Sequence, residues 1–480
     1  MLWCGVTLAP EETDGPSRES VTEKAALTAP EPASPTGIPR VGRRTPVLSG
    51  WGRLPVPGRE LLSEHLESAT RGAALSRGLG RSYGDSSLPA RATDRVVATR
   101  LANRILGFDP ESGALRAEAG VTLAELNRLF MPRGWFSPVS PGTKFVTVGG
   151  MVASDVHGGN HHREGCFGGH VRRLRMRLAD DGVVECSPTE SPDLFYGTLG
   201  GMGLLGHILE VEFTLHRIPS PWIWMETQRV RDIDEFLAAL EEAAPRWPMT
   251  KGWIDCLSRG RSMGRGILLV GRWAPPDEAR AGMPRSRELR MPVELPNWAL
   301  NEWTARMFNA AVYRSHIRKH AVRVVGPDSF FYPLDALLEW NRVYGPRGFT
   351  QYQCVLPRAA GAPAVRAFMD RLTRLGGASP LCVIKDCGPE GLGTLSFPLE
   401  GTSIAIDMAV SPDLQRIIDR LNEFVIEVGG RIYLSKDRFT RRDHFAAMEP
   451  RLSKFEALRD KWDPRRRLRS AQSARLLDRL

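Results

Sequence analysis

Polar and apolar positions divide this chain into stretches of different character. Residues 1–44 are rich in Pro, Glu, Ser, Thr and Ala and show no hydrophobic period. Such a stretch buries too little surface to offset chain entropy and predicts a disordered tail. From about residue 48 to 220, short apolar runs alternate with glycine turns. Residues 61–70 predict a short helix, and 73–76, 96–99 and 114–119 predict strands. A helix over 123–131 opens at a Thr122 N-cap with Glu125 three residues later, the spacing of a capping box. Residues 171–178 and 183–187 flank Asp180-Asp181-Gly182 and predict a hairpin, and 207–215 alternates as a strand does.

The pattern then changes. A helix is predicted over 232–244 and strands over 252–257 and 266–271, followed by an irregular, basic stretch over 275–326. Beyond it come a strand (351–356), a helix (363–375), two strands (381–385 and 403–410) and a helix (412–428). This order predicts an α+β layer with its helices on one face. The last 50 or so residues return to a strand (430–434) and a basic helical tail.

Composition narrows the function classes. At 480 residues the chain exceeds one ordinary domain. The net charge of +10 suits an anionic ligand, an acidic membrane surface or nucleic acid, and equally an Arg-rich enzyme with no special partner. The basic residues are scattered and form no nucleic-acid motif, so no nucleic-acid partner is expected. The seven cysteines contain no CxxC pair, which predicts neither a zinc site nor a disulfide framework and reads as a reduced, intracellular-type chain. The first residues lack a basic region leading into an apolar run, and Arg43-Arg44 is not followed by one. No signal peptide and no membrane span is therefore expected, and the location reads as cytoplasmic or peripheral at the cell membrane.

Candidate chemistry sits in three glycine-rich loops. In Arg77-Gly78-Leu79-Gly80-Arg81-Ser82-Tyr83-Gly84-Asp85 the glycines allow a tight turn that aims backbone N–H groups at phosphate oxygens. The spacing is not that of a dinucleotide-binding βαβ unit, and a plain turn between strands is the competing reading. The second loop runs from Pro141 to Gly150 and on into Asp155-Val156-His157-Gly158-Gly159-Asn160-His161-His162. Its histidines lack the helical i, i+4 spacing and the carboxylate of common zinc sites, so no metal is expected. The third is Gly200-Gly201-Met202-Gly203-Leu204-Leu205-Gly206.

Together the runs RGLGRSYGD, PGTKFVTVGG, ASDVHGGNHH, FGGHV and GGMGLLG resemble the FAD-binding domain of the vanillyl-alcohol oxidase superfamily. Within it the chain is similar to the decaprenylphosphoryl-β-D-ribose 2-oxidase family. The likeness extends through FFYPLD (330–335), QYQCVLP (351–357), GTLSFPLEG (393–401), GGRIYLSKD (429–437) and WDP (462–464). It implies an α+β fold in which residues 45–220 and 431–480 form a two-part FAD-binding domain around an inserted α+β substrate domain, 221–430.

The resemblance also implies site residues. Ser76, Arg77, Gly78, Leu79, Gly80, Arg81, Ser82, Tyr83, Gly84, Asp85 and Ser86 would hold the pyrophosphate. Gly142, Thr143, Thr147, Val148, Gly149, Gly150, Ser154, Asp155, Val156 and His157 would lie along the rest of FAD, with Ile208 and Tyr433 touching it. Several superfamily members link flavin to a first-loop histidine; Arg81 stands at that position, so non-covalent FAD is implied. Lys436 resembles the active-site lysine, with Tyr83 and His157 beside it, where a cation would stabilise charge developing on the flavin. Tyr332, Gln351, Gln353, Lys385, Asp407 and Lys436 match substrate-pocket positions. Read as residues alone, Gln351 and Gln353 are equally two solvent-exposed side chains on one face of a strand.

The activity so implied is oxidation of the 2-hydroxyl of a polyprenylphosphoryl-β-D-ribose to the 2-keto form, in synthesis of arabinose precursors for the cell wall. An NAD(P)H-dependent keto-sugar reductase would complete the epimerisation. Peripheral association with a membrane and placement at the cell envelope are implied with it. Oxidation of a soluble alditol or aldonolactone is the alternative on the same fold, and an anionic-surface or nucleic-acid binding protein is the alternative of another class. Two departures bear on specificity. Ala405 stands where the family has the cysteine attacked by nitroaromatic inhibitors, and Gly159 where the mycobacterial enzymes have lysine.

Overall fold

Strands in which apolar residues alternate with polar or small ones form the centre of the largest sheet. The computed structural model describes residues 46–376 and 379–478, so the tail expected over 1–44 lies outside the described residues. This sheet has eight strands, in the order His320–Val325, Ile223–Val230, Gly266–Trp273, Met249–Ile254, Cys382–Cys387, Gly401–Ala409, Phe349–Pro357 and Arg431–Ile432. Its strand pairs are antiparallel.

Side chains alternate across such a sheet, and residues paired across strands share a face. On one face pack the helices Ile233–Ala243, Gly361–Leu375 and Leu414–Glu427. The last buries Leu414, Ile417, Ile418, Leu421, Phe424 and Val425, a helical period with polar residues between. Tyr352 points to this side, its hydroxyl donating to Asn422 Oδ1 at 3.0 Å. The other face carries the intervening residues: Gln351 pairs with Asp407, Gln353 with Ala405, Ala405 with Val383, and Lys385 with Ser403. The expected α+β layer with helices on one face is therefore present.

A five-stranded antiparallel sheet orders Val183–Cys186, Val171–Arg177, His207–Thr214, Ala114–Glu118 and Ile105–Phe108. A small parallel sheet joins Glu60–Leu62, Val96–Ala98 and Leu75–Arg77. The helix Leu123–Phe130 carries the complete capping box, Glu125 N donating to Thr122 Oγ1 at 3.1 Å and Thr122 N to Glu125 Oε2 at 2.8 Å. The hairpin turn places Asp181 at φ 71°.

Three local expectations need correction. Only Leu66–Ala69 of residues 61–70 is helical, because Glu60–Leu62 pairs with Val96–Ala98 instead. The stretch 275–326 is not wholly irregular: it contains the 14-residue helix Glu302–Ser315 and the edge strand His320–Val325. The helix escapes a periodicity reading because it buries Ala305, Asn309 and Val312 while exposing Trp303 and Met307. The strand expected over 430–434 shrinks to Arg431–Ile432.

The C-terminal helices Arg442–Met448, Leu452–Trp462 and Ala471–Leu476 close back on the first glycine loop. Arg475 donates to Asp85 Oδ1 at 2.9 Å and to Asp437 Oδ2 at 2.8 Å, both carboxylates buried. Arg438 adds a second cation 3.0 Å from Asp85. Arg475→Ala leaves the two carboxylates without their shared partner and should lower stability by roughly 3 kcal/mol. Chemical denaturation followed by far-UV circular dichroism reads this loss; an unchanged midpoint would show that Arg438 alone satisfies the pair.

Candidate active site

The polar face of the eight-stranded sheet and the glycine loops enclose one long cleft, with an empty volume of about 1800 Å³ counting its solvent mouth. From the first loop Ser76, Gly78, Leu79, Gly80, Arg81, Ser82, Tyr83 and Ser86 line it. Gly142, Thr143, Thr147, Gly150, Ser154, Val156 and His157 follow from the second, and Gln351, Gln353, Lys385, Tyr433 and Lys436 complete the set expected from the sequence.

The remaining candidates stand behind this wall and hold it. Arg77 donates to Ser49 O at 2.8 Å and pairs with Glu60 at 3.3 Å. Gly84 lies so close to the chain that a Cβ would sit 1.7 Å from Asp437 O. Asp85 anchors Arg475, and Val148, Gly149 and Ile208 are core packing. Asp155 accepts from Gly168 N at 2.8 Å and from Ser396 Oγ. The Tyr332 hydroxyl donates to Ser140 Oγ at 2.9 Å. Asp407 reaches the cleft only through Gln351, whose Nε2 donates to Oδ1 at 2.6 Å, while Tyr344 donates to Oδ2 at 3.1 Å.

Three features fit a flavin dinucleotide. The backbone N–H groups of Leu79, Gly80, Arg81 and Ser82 bond no protein acceptor among the described residues, the unsatisfied set a phosphate nest supplies. A Cβ on Gly78 would sit 2.3 Å from Thr147 Oγ1, so only glycine lets the two loops close side by side. The third is His157. Gln353 Nε2 lies 3.0 Å from its Nε2 and 3.1 Å from Ser403 Oγ, using both amide hydrogens. That assigns the imidazole proton to Nδ1, a buried atom without a protein partner. Burial, with Lys385, His161 and Lys436 adding repulsion, holds this histidine far below its ordinary range, so it is neutral at pH 7.

The charge in the cleft is lopsided. Lys251, Lys385 and Lys436 are enclosed by protein and open only to the lumen. Desolvation pulls Lys251 and Lys436 down to about 7 and lowers Lys385. Asp407, itself raised to about 7 by burial, is the carboxylate that draws Lys436 back up. The Lys436 ammonium also lies 4.1 Å from the Tyr83 ring centroid, a cation–π contact. Arg81 sits 4.1 Å from the Trp51 ring centroid and 5.1 Å from that of Phe145.

Two charged cleft residues escaped the sequence reading. Asp335, raised to about 6 by burial, pins the second loop by accepting from Thr143 Oγ1 and Lys144 N, each at 2.8 Å. Nothing local marks it, although it ends the FFYPLD run. Lys251 donates to Phe330 O, and its Cβ lies 3.6 Å from where a Cβ on residue 159 would be. Lys251 thus brings a cation into the cleft beside Gly159. Its signal was present in MTKGWI: one lysine within a strand whose other residues are all buried.

Comparison with known proteins places this geometry. Residues 66–187 match the model of the FAD binding domain. The chain is 32% identical over 451 residues to decaprenylphosphoryl-beta-D-ribose oxidase of Mycolicibacterium smegmatis, covering 90% of this chain and 96% of that protein. Similarity to human Delta(24)-sterol reductase is 29% over 143 residues, 30% of this chain and 27% of the reductase. A putative D-arabinono-1,4-lactone oxidase of Neurospora crassa is 30% identical over 111 residues, 23% of this chain and 20% of that protein.

A lysine whose folded pKa lies below its unfolded value weakens the fold most below the folded pKa, and the penalty fades as pH rises toward the unfolded value. Lys251→Met should therefore raise stability at pH 7 by at least about 1 kcal/mol, with the gain shrinking toward pH 10. The same variant should bind anionic ligands more weakly. Denaturation midpoints across this range test the first expectation, and a gain that grows with pH would contradict it.

Proposed function

The chain belongs to the decaprenylphosphoryl-β-D-ribose oxidase family of FAD-binding oxidoreductases, and on that premise we propose that it oxidises the 2-hydroxyl of a polyprenylphosphoryl-β-D-ribose to the 2-keto form. The observation that carries this reading is the excess of enclosed lysines. A neutral polyol would leave Lys251, Lys385 and Lys436 in a desolvated lumen, with Asp407 offsetting only Lys436 among them. A sugar phosphate supplies the missing anion through charge-assisted hydrogen bonds.

Bound FAD supplies the acceptor for the hydride that leaves the sugar carbon. The first loop's free N–H groups and Arg81 serve the dinucleotide, and Arg81 in place of a linking histidine supports non-covalent binding. Lys385 and Lys251 take the substrate phosphate. Gln351 and Gln353 bond ribose hydroxyls, held on the cleft face by Asp407, Ser403 and His157. Lys436, poised near neutrality, has two tasks: its amine form accepts the hydroxyl proton, and its ammonium form stabilises negative charge. His157 stays neutral and donates from Nδ1. The 2-keto product would pass to an NAD(P)H-dependent reductase, completing conversion of ribose to arabinose configuration. Substrates with a prenyl chain place the enzyme at a membrane surface; among the described residues no helix is long and apolar enough to cross one.

Acid precipitation should release FAD into the supernatant, since no covalent link holds it. Anaerobically, prenylphosphoryl ribose should bleach the flavin while xylitol and gulonolactone do not. Bleaching by the soluble polyols alone would replace this reading with a polyol or lactone oxidase. Lys436→Ala should cut kcat by at least about 10²-fold with the flavin absorbance retained; activity near that of the unmodified enzyme would remove the lysine from the chemistry.

A further inference from the structure

The helix Glu302–Ser315 faces the wrong way for a globular surface. Its inner side is anchored by a polar residue, Asn309, fully buried and donating to Asp255 Oδ1 at 2.9 Å and Ser379 O at 3.1 Å. Its outer side carries Trp303, Met307 and Ala311, one face at i, i+4 spacing, with Trp303 68% and Met307 56% exposed. Trp298 and Ile317, just beyond the two ends, are 77% and 83% exposed. Isolated exposed apolar residues need no explanation, but a cluster of this size within one segment marks an interaction surface.

The charge of the same segment selects the partner. Between residues 280 and 323 the chain carries nine arginines and lysines against three glutamates, so most of the protein's +10 excess lies here. Arg306 and Arg314 flank the apolar stripe on the helix itself and are exposed. Exposed tryptophan with flanking arginine suits the interface of an anionic bilayer, where the ring enters the headgroup layer and the cation meets lipid phosphate.

The segment is also built onto the cleft. Leu289–Arg290 pairs with Leu337–Leu338, Leu295 N donates to Arg342 O at 3.1 Å, and Leu300 packs on the cluster of Tyr83, Tyr344 and Phe349. Leu337–Leu338 and Arg342 lie on the same stretch of chain as Leu334, Asp335 and Trp340 of the cleft wall.

We propose that the segment around the helix Glu302–Ser315 docks the enzyme on anionic lipid, setting the cleft wall against the bilayer that holds its substrate. The prenyl-phosphate reading explains why a bilayer should lie there, and the inference rests on it to that extent. The test uses the FAD-loaded full chain, sedimented with vesicles of phosphatidylcholine alone or mixed with phosphatidylglycerol. The chain should pellet with the mixed vesicles only and be released by added salt. Trp303→Ser with Met307→Ser, and separately Arg306→Gln with Arg314→Gln, should each weaken this binding at least about tenfold, with circular dichroism and flavin absorbance unchanged.

A chain that stays in the supernatant with both vesicles, or variants that bind as the unmodified chain does, would overturn the proposal. So would a dimer, seen by sedimentation velocity, that the Trp303 and Met307 changes dissociate while vesicles are not bound. A short-chain, water-soluble phosphoryl ribose, tested without vesicles, separates the two readings. Its failure to reduce the flavin, with vesicle binding intact, would remove the substrate assignment and leave the docking surface standing.

Discussion

The two faces of the strands Phe349–Pro357, Gly401–Ala409 and Cys382–Cys387 carry opposite obligations. One must be apolar enough to seat three helices; the other must hold glutamines, a carboxylate and lysines against a cleft. A strand meets both at once only through its period of two, and a shift of one residue in register would exchange the faces. Gln351 opposite Asp407 and Gln353 opposite Ala405 keep that register. Tyr352, between the glutamines, fixes it from the other side by bonding Asn422 on the helix Leu414–Glu427. The packing of helices on sheet therefore also positions the cleft's polar groups.

Local signals explain which parts were legible in the sequence. The capping box at Thr122 and the Asp180-Asp181-Gly182 hairpin are written within a few residues, and they form as expected. The glycine loops are equally local: Gly78 is required by one close approach to Thr147, and the runs that carry family resemblance surround it. What was not legible depends on partners far along the chain. Asp335 acts on residues 143 and 144 across 192 and 191 positions of sequence. Lys251 enters the cleft because its strand lies beside Cys382–Cys387, a neighbour no spacing reveals. Gln351 and Gln353 read as well for solvent as for a site until the loops cover them. The helix Glu302–Ser315 defeats periodicity for a different reason, since its buried position 309 is polar and its exposed positions are apolar.

Electrostatics ties the cleft to the outer surface. Enclosing Lys251, Lys385 and Lys436 together opposes folding, because each loses hydration and repels the others. On the proposed function, an anion entering the lumen restores to the lysines the stabilisation that burial removed, which favours ligands carrying phosphate over neutral ones of similar shape. The arginines between residues 280 and 323 repeat the bias on the exposed surface, in high dielectric where each costs little. On the proposed function, a phosphorylated lipid interacts more strongly with the enclosed cations than with the exposed ones, because water is left behind. The excess of positive charge, which composition alone left as compatible with many partners, is thus divided between lysines enclosed in the cleft and arginines on the exposed surface.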